Sequence, residues 1–402
     1  MRSVQEKSDK EIRAGLKLSY DLPEGFRIEV AKTADDIESA LSVLHDSYVQ
    51  AGYMDPHPSG LRFLPQHALA TTTVAIARLN DEIIGTVSLI QDNLLGLPMD
   101  SIFDLSQRRA NGSVLAEISS LALMPEHRIQ NGLLTYPIQK FSISYLQSCT
   151  ATEEAVIAVN PSMAALYRAV FMAKQLASNP VNEYAFVKGA PAVGLSMELE
   201  KFSENLIEAY GDAPADQNFA EYILNGGMDH IVLPRKDAHR SFEPVSPKTF
   251  ERLLKRSQIL LSLNSDKKLK LLRAWEGSHH AEILKSMCPK SLGEALGRRS
   301  FRFQAQGRAE ILSSRSEIGA METLNVSREG LLVKSPNAPI EGLNKMKIAV
   351  GDGKWADVVA RASWSRMGRQ GFEIMEASPE WHSYIADLEM YLNDEQSKTT
   401  AA

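Results

Sequence analysis

The chain has 402 residues, enough for two or three domains that each bury a core. Its charged fraction of 23%, hydrophobic fraction of 44% and formal net charge of -6 are those of a soluble globular protein, and they exclude the bulk basicity needed to wrap a nucleic-acid polymer. The two cysteines, Cys149 and Cys288, show neither a disulfide framework nor metal-ligand spacing, which points to a cytoplasmic, reducing setting.

The opening MRSVQEKSDKEIRAGLK has no apolar core of a secretory signal, and no apolar run is long enough for a transmembrane segment. From about 20 to 200, strand-like and helix-like segments alternate, which predicts an α/β domain. Phe26 to Val30 reads as a strand and Asp35 to Gln50 as a helix. Thr73 to Leu79 and Glu82 to Ile90 form strands joined by the hairpin signal Asn80-Asp81. Val114 to Leu123 is another strand, with a helix following from about Asn131 to Gln147. Ala155 to Val159 reads as a strand, Ser162 to Leu176 as a helix, and Glu183 to Val187 and Val193 to Leu199 as strands.

From 201 to 295 the pattern is mostly helical and reads as a linker region. Lys248 to Arg273 carries eight Lys and Arg against Glu251 and Asp266, interleaved with leucines. Such a stretch suits docking to an acidic carrier protein or peripheral contact with an anionic membrane; helices packed on a neighbouring domain with a solvated basic face are favoured. His279-His280 lacks a partner at metal-ligand spacing and is expected at the surface. From 296 to 392, short β runs (Arg308 to Leu312, Gly330 to Lys334, Met346 to Val350, Asp357 to Trp364) separated by Gly, Asn and Pro predict an all-β barrel, closed by a helix from Glu380 to Leu392. The polar tail from 393 to 402 is expected to be disordered.

Two sets of residues carry chemistry. Arg298, Arg299 and Arg302 lie within five residues, and Asn325-Val326-Ser327-Arg328-Glu329-Gly330 follows just before the strand Leu331 to Val333. Guanidinium forks match phosphate oxygens or the O6/N7 edge of guanine, Asn and Ser can bond a remaining base edge, and Gly admits close backbone approach. Arg-x-x-x-Arg followed by Asn-x-Ser-x-x-Gly resembles the PilZ family. The resemblance implies that residues 296 to 392 bind cyclic di-GMP through Arg298, Arg302, Asn325, Ser327 and Gly330, with Arg299 beside them. A basic linker with Asn-x-Ser in a turn is the plainer alternative.

The second set lies in the first 200 residues. The strand Val114 to Leu123 carries Glu117 and Ser119 and ends at Met124-Pro125-Glu126-His127-Arg128, before a helix whose N-terminus can hold an anion. Val159-Asn160-Pro161 is followed by Tyr167. Together with His45 to Tyr53, Ile84 to Asp92, Gly96 to Asp100 and Lys188 to Val193, these resemble the long-chain N-acyl amino acid synthases, relatives of the GNAT acyltransferases. The resemblance implies a GNAT-like fold and fatty-acyl transfer from a thioester, with acyl carrier protein as donor partner, to an amino acid or similar amine. It makes Glu117 the base or water-positioning group for the acceptor amine, with Ser119 of the same motif beside it in the catalytic set, Tyr167 the proton donor to the leaving thiolate, and Arg128 and Gly132 the acyl-donor site. No cofactor is implied, and cyclic di-GMP is the expected ligand. Ser120 stands where the family has Arg, only Gly132 remains of the donor-loop glycines, and Phe171-Met172-Ala173 replaces a Gly-Phe pair. A regulated N-acyltransferase and a non-catalytic cyclic di-GMP effector with a GNAT-like scaffold therefore both stand as readings.

Overall fold

The computed structural model describes residues 8–128, 134–226, 229–234, 245–294, 296–298, 300–312, 321–334, 339–351 and 353–393. The expected disordered tail falls outside them beyond Asn393.

In the N-terminal half the strands are β1 (Phe26–Val30), β2 (Thr72–Leu79), β3 (Glu82–Gln91), β4 (Leu115–Leu123), β5 (Glu154–Val159), β6 (Lys174–Gln175), β7 (Val181–Tyr184), β8 (Ala190–Glu198) and β9 (Ile231–Val232). They form one sheet in the order β6-β8-β5-β4-β3-β2-β1-β9, with β7 on β8. The helices are α1 (Asp9–Ala14), α2 (Ala34–Gln50), α3 (Ser106–Ala110), α4 (Thr135–Cys149), α5 (Pro161–Phe171), α6 (Leu199–Tyr210) and α7 (Phe219–Leu224).

Local chemistry sets several of these limits. Thr33 and Asp36 form a reciprocal cap at the start of α2, satisfying amide donors that a helix end leaves free. Helix α5 stops at Phe171, short of the expected Leu176, because Met172 turns into the left-handed region at φ 52°. The strand expected through Val187 ends at Tyr184, and a 3-10 turn at Ala185–Val187 runs into Lys188, also left-handed.

Alternation along β2 and β3 sends Ala75 and Ala77 to one face and Ile76 and Ile83 to the other. The first face packs on α4, α6 and α7, so the chain up to about residue 233 completes this sheet rather than linking away from it.

The second face packs under α2, which in turn meets α8 (Pro247–Ser257); α9 (Ile259–Ser262), α10 (Ser265–Ala274), α11 (His279–Met287) and α12 (Lys290–Gly293) pack around α8 and one another. Leu253, Leu254, Leu271, Leu272, Trp275 and Leu284 are buried there. Basic residues of this stretch are partly consumed by ion pairs, since Arg252 and Arg256 both bind the buried Glu38 of α2. His280 departs from the expected surface position. Its ring is fully buried, stacks on Trp275 at 4.0 Å, and Nε2 lies 2.8 Å from the Val245 carbonyl oxygen.

The C-terminal strands are β10 (Phe303–Gln304), β11 (Arg308–Ile311), β12 (Met321–Ser327), β13 (Gly330–Lys334), β14 (Leu343–Ala349), β15 (Trp355–Arg366) and β16 (Arg369–Ala377), followed by α13 (Pro379–Asn393). Among the described residues, β12, β11, β14, β15, β16 and β13 pair in ring order and close back on β12, giving an antiparallel six-stranded barrel that leaves no free edge. One hydrophobic cluster runs without a break from α2 through α8–α11 into the barrel interior. Lys334 of β13 pairs with Glu153, and the Arg369 guanidinium donates to the Ser113 carbonyl at 3.3 Å, so the barrel sits directly on the N-terminal sheet.

Candidate active site and nucleotide site

Strands β4 and β5 are hydrogen-bonded only where Leu115 to Glu117 face Glu154 to Val156. Beyond Glu117 the two strands part, and Ser119 to Leu121 and Ile157 to Asn160 line a cavity of about 270 Å³. A bulge in β4 against β3, between the pairs Thr86–Ala122 and Ser88–Ser119, places Ser120 at φ 54°. Bulges re-aim side chains at a strand edge. The Ser120 Oγ is buried with no hydrogen-bond partner among the described residues.

Glu117, Ser119 and Tyr167 all line this cavity. Glu117 is 2% exposed, and burial pushes its carboxyl up to about 8 against the pull of the Met99 N–H, which donates to Oε2 at 2.9 Å, and of Ser119. Asp100 nearby adds to the rise. Burial likewise holds the Tyr167 phenol well above its ordinary range. Gln139 Nε2 donates to the Tyr167 oxygen at 2.8 Å, which leaves the phenol's own proton free to be given to another atom. The site therefore pairs a carboxyl close to its titration point at neutral pH with a phenol that stays protonated.

Arg128 follows the 3-10 turn Pro125–His127 beyond the strand, its Nε donating to the Leu123 carbonyl at 2.9 Å, and it does not line this cavity. Gly132 lies outside the described residues. Two contributors were not legible in the sequence. Arg62 is held between the rings of Tyr48 and Phe186, at 4.3 and 4.5 Å from their centroids, and both rings line the cavity. Arg109 on α3 grips Asp92 through Nε and Nη2 at 2.8 and 2.9 Å and Asp100 through Nη1 and Nη2 at 3.0 and 2.8 Å. Asp100 then accepts the Leu97 N–H at 2.8 Å. That clamp fixes the turn whose Met99 amide supports Glu117.

On the barrel, the backbone amides of Gly297 and Arg298 both donate to the buried Glu276. Phe301 stacks on Trp275 at 5.5 Å, and the Trp275 Nε1 donates to Ala68 of the N-terminal half at 2.7 Å. The arginine segment is thus anchored on both sides. Arg298 and Arg302 line two hollows. One, of about 400 Å³, opens between the barrel and the N-terminal sheet and includes Asn325, whose Oδ1 is buried with no partner among the described residues. The other, of about 340 Å³, is lined on the outer side by Ser327, Gly330 and the half-exposed Trp364. Partial burial and the neighbouring Arg298 both lower the proton affinity of Arg302, the signature of two cations side by side.

Asn325 and Ser327 lie in β12 rather than in a turn, and β12 pairs with β13 through Ser327 and Gly330. Ser327 Oγ donates to the Gly330 carbonyl at 3.2 Å, and a Cβ on Gly330 would meet the Phe372 carbonyl oxygen at 2.8 Å, which explains the glycine. Arg299 lies outside the described residues. Among the described residues there is no group of His, Cys, Asp and Glu able to hold a metal, and no helix long and apolar enough to cross a membrane.

Comparison with known proteins bears on the first of these sites. Three solved structures are similar to the N-terminal part. The N-acyl amino acid synthase FeeM from uncultured soil microbes is 20% identical, aligned over 46% of this chain and 96% of its own, with a TM-score of 0.41. The acyl-homoserine-lactone synthase LasI is 10% identical over 52% of this chain and 98% of its own, with a TM-score of 0.35. The CoA-dependent acyl-homoserine lactone synthase BjaI is 13% identical over 49% and 97%, with a TM-score of 0.34. No curated protein matches the chain. Residues 39–198 match the family model described as N-acyl amino acid synthase FeeM, a span that contains Glu117, Ser119, Arg128 and Tyr167. Over residues 39–198 the N-terminal part of the chain is similar to the N-acyl amino acid synthase FeeM family.

Proposed function

We propose that the protein is an N-acyltransferase that moves a fatty acyl group from a thioester, carried by acyl carrier protein, to the amine of an amino acid or related acceptor, under the control of cyclic di-GMP bound to the barrel. The observation that carries the catalytic half is the convergence of Glu117 and Tyr167 on one cavity at the unpaired edges of β4 and β5.

An extended pantetheine arm has backbone-like donors and acceptors, which the free edges of β4 and β5 can bond as they would a strand. The acceptor amine must lose a proton before it attacks. A carboxylate whose conjugate acid titrates near 8 is matched to an ammonium group, so proton transfer to Glu117 is nearly balanced in energy. Attack forms the amide C–N bond and breaks the thioester C–S bond. Tyr167 gives its proton to the departing thiolate; the nitrogen sheds its second proton to solvent as it becomes an amide, and Tyr167 is restored from solvent. The unpartnered Ser120 Oγ in the β4 bulge supplies an O–H donor for the carbonyl oxygen as charge gathers there. The barrel offers what the phosphates and a guanine edge of cyclic di-GMP require: two guanidinium forks and an unbonded Asn325 amide oxygen in one hollow. Two free cysteines fit a reducing cytoplasm.

A second reading, a non-catalytic cyclic di-GMP effector, is favoured by one observation: Ser120 stands where the synthase pattern has Arg. The full chain expressed in bacteria, followed by mass spectrometry of the lipid extract, separates the two. N-acyl amino acids above the vector control are expected; their absence, together with no transfer by purified protein from acyl carrier protein, leaves the effector reading.

A further inference from the structure

The larger arginine-lined hollow has a second wall that belongs to the acyltransferase domain. Thr71, Gln91, Asp92 and Asn93 face Arg298, Arg302 and Asn325 across it, and Arg273 of α10 and Arg369 of β16 complete the rim. Four guanidinium groups thus meet one acidic residue, Asp92, in this lining. Asp92 is already engaged: Arg109 holds its carboxylate through two nitrogens, and the same guanidinium holds Asp100. Asp100 caps Leu97, and two residues on, the Met99 N–H donates to Glu117. Each step of this route is a direct hydrogen bond or a single turn of backbone. It connects the hollow to the carboxyl of the transfer site.

We propose that the hollow between the barrel and the acyltransferase domain is the regulatory nucleotide site, and that its occupancy reaches Glu117 through Asp92, Arg109 and Asp100. The inference rests on the reading of the barrel as a cyclic di-GMP receptor. Phosphates draw to the arginines of the barrel side. A guanine turned to the other wall presents N–H donors on its Watson–Crick edge, for which the Asp92 carboxylate is the acceptor in the lining. Bonding the base and bonding Arg109 compete for the same two oxygens. The ligand-free arrangement has Asp92 on Arg109; the ligand-bound one has Asp92 on the base and Arg109 on Asp100 alone. A ligand that discriminates between two such arrangements shifts their populations by its difference in affinity. The continuous apolar cluster from α2 into the barrel holds the two walls in register, so the change is local to the clamp and needs no swing of the barrel.

The test is hydrogen exchange on the full chain with and without cyclic di-GMP, beside calorimetry. Amides in the barrel and at 296–304 are expected to gain protection, while Leu97 to Phe103 exchange about fivefold faster or more, corresponding to a typical coupling. Arg302→Ala is expected to lose both responses. Arg109→Gln is expected to bind ligand with Leu97 to Phe103 exchanging fast whether ligand is present or not. Barrel protection with unchanged or slowed exchange at 97–103 overturns the coupling, and so does an Arg109→Gln response equal to that of the wild type. No calorimetric binding and no barrel protection in the wild type overturns the receptor reading itself, and the inference falls with it.

Discussion

The two candidate sites hold charge in opposite ways. In the N-terminal cavity the Glu117 carboxyl sits almost wholly out of water, and its environment drives it toward the neutral form. On the barrel, Arg298 and Arg302 remain accessible to solvent and share a neighbourhood, and the buried Glu276 is spent on the backbone amides of Gly297 and Arg298. The first environment stores reactivity, because a proton held near its titration point can move in either direction. The second stores affinity, since two cations held side by side gain when an anion arrives between them. A group that reacts is best served by desolvation, and a group that recognises phosphate is best served by access.

The comparison breaks most decisively at Glu117. If that carboxyl acts as the base, Glu117→Ala lowers N-acyl transfer by about a hundredfold to ten-thousandfold, the usual range for removing a general base. Purified wild type and variant are compared with acyl carrier protein as donor and a panel of amino acids as acceptors. Equal product from both makes Glu117 a structural carboxyl and leaves the two sites alike in having no reacting group.

A second expectation concerns pH. The unfolded chain releases the Glu117 proton near the ordinary carboxyl value of 4.5, whereas the folded protein keeps it until about 8. Between those limits the folded state binds more protons than the unfolded one, so this group makes stability fall as pH rises, and the slope vanishes above about 8. Glu117→Gln keeps an oxygen for the Met99 amide and removes the titration. The variant is therefore expected to gain on the wild type from pH 5 to pH 8, by about 4 kcal/mol as an upper bound. Urea unfolding of both proteins at the two values checks it. A constant difference would mean that Glu117 is solvated or already ionised in the fold.

What could be read from the sequence divides along the same line. The arginine pair and Asn325-x-Ser327-x-x-Gly330 are local patterns, and the fold brings Arg298, Arg302 and Asn325 to one hollow. Glu117 and Tyr167 were legible from a strand and a helix in the right order, and they line one cavity. Strand β12 was missed because the irregularity between Thr323 and Asn325 breaks the two-residue alternation that marks a strand. The burial of His280 was missed because the partner that shields it, Trp275, lies on a separate turn of chain. Arg62 between two rings and Arg109 between two carboxylates were invisible for a related reason: each depends on pairing distant segments, which no spacing rule reports. Asp92 gained meaning only when the barrel was seen to close a hollow over it.

The smallest expected effect sharpens the affinity side. Arg302 lies at the meeting point of both hollows, beside Arg298, with phenylalanines buried on either side of it at Phe301 and Phe303. Those buried neighbours fix the backbone, so replacing the side chain leaves the segment in place. Losing one charge-assisted, two-pronged contact costs about 2 kcal/mol, so Arg302→Ala weakens cyclic di-GMP binding roughly thirtyfold by calorimetry. Arg302→Lys keeps the charge but loses the planar fork, and it is expected to recover only part of the loss. Because the guanidinium is half open to water, salt also screens it, and the gap between wild type and Arg302→Ala should narrow as ionic strength rises. Lys matching Arg at every salt concentration would show that the site reads charge alone. In that case any compact anion suffices, and the distinction between a recognising barrel and a reacting pocket loses its structural basis.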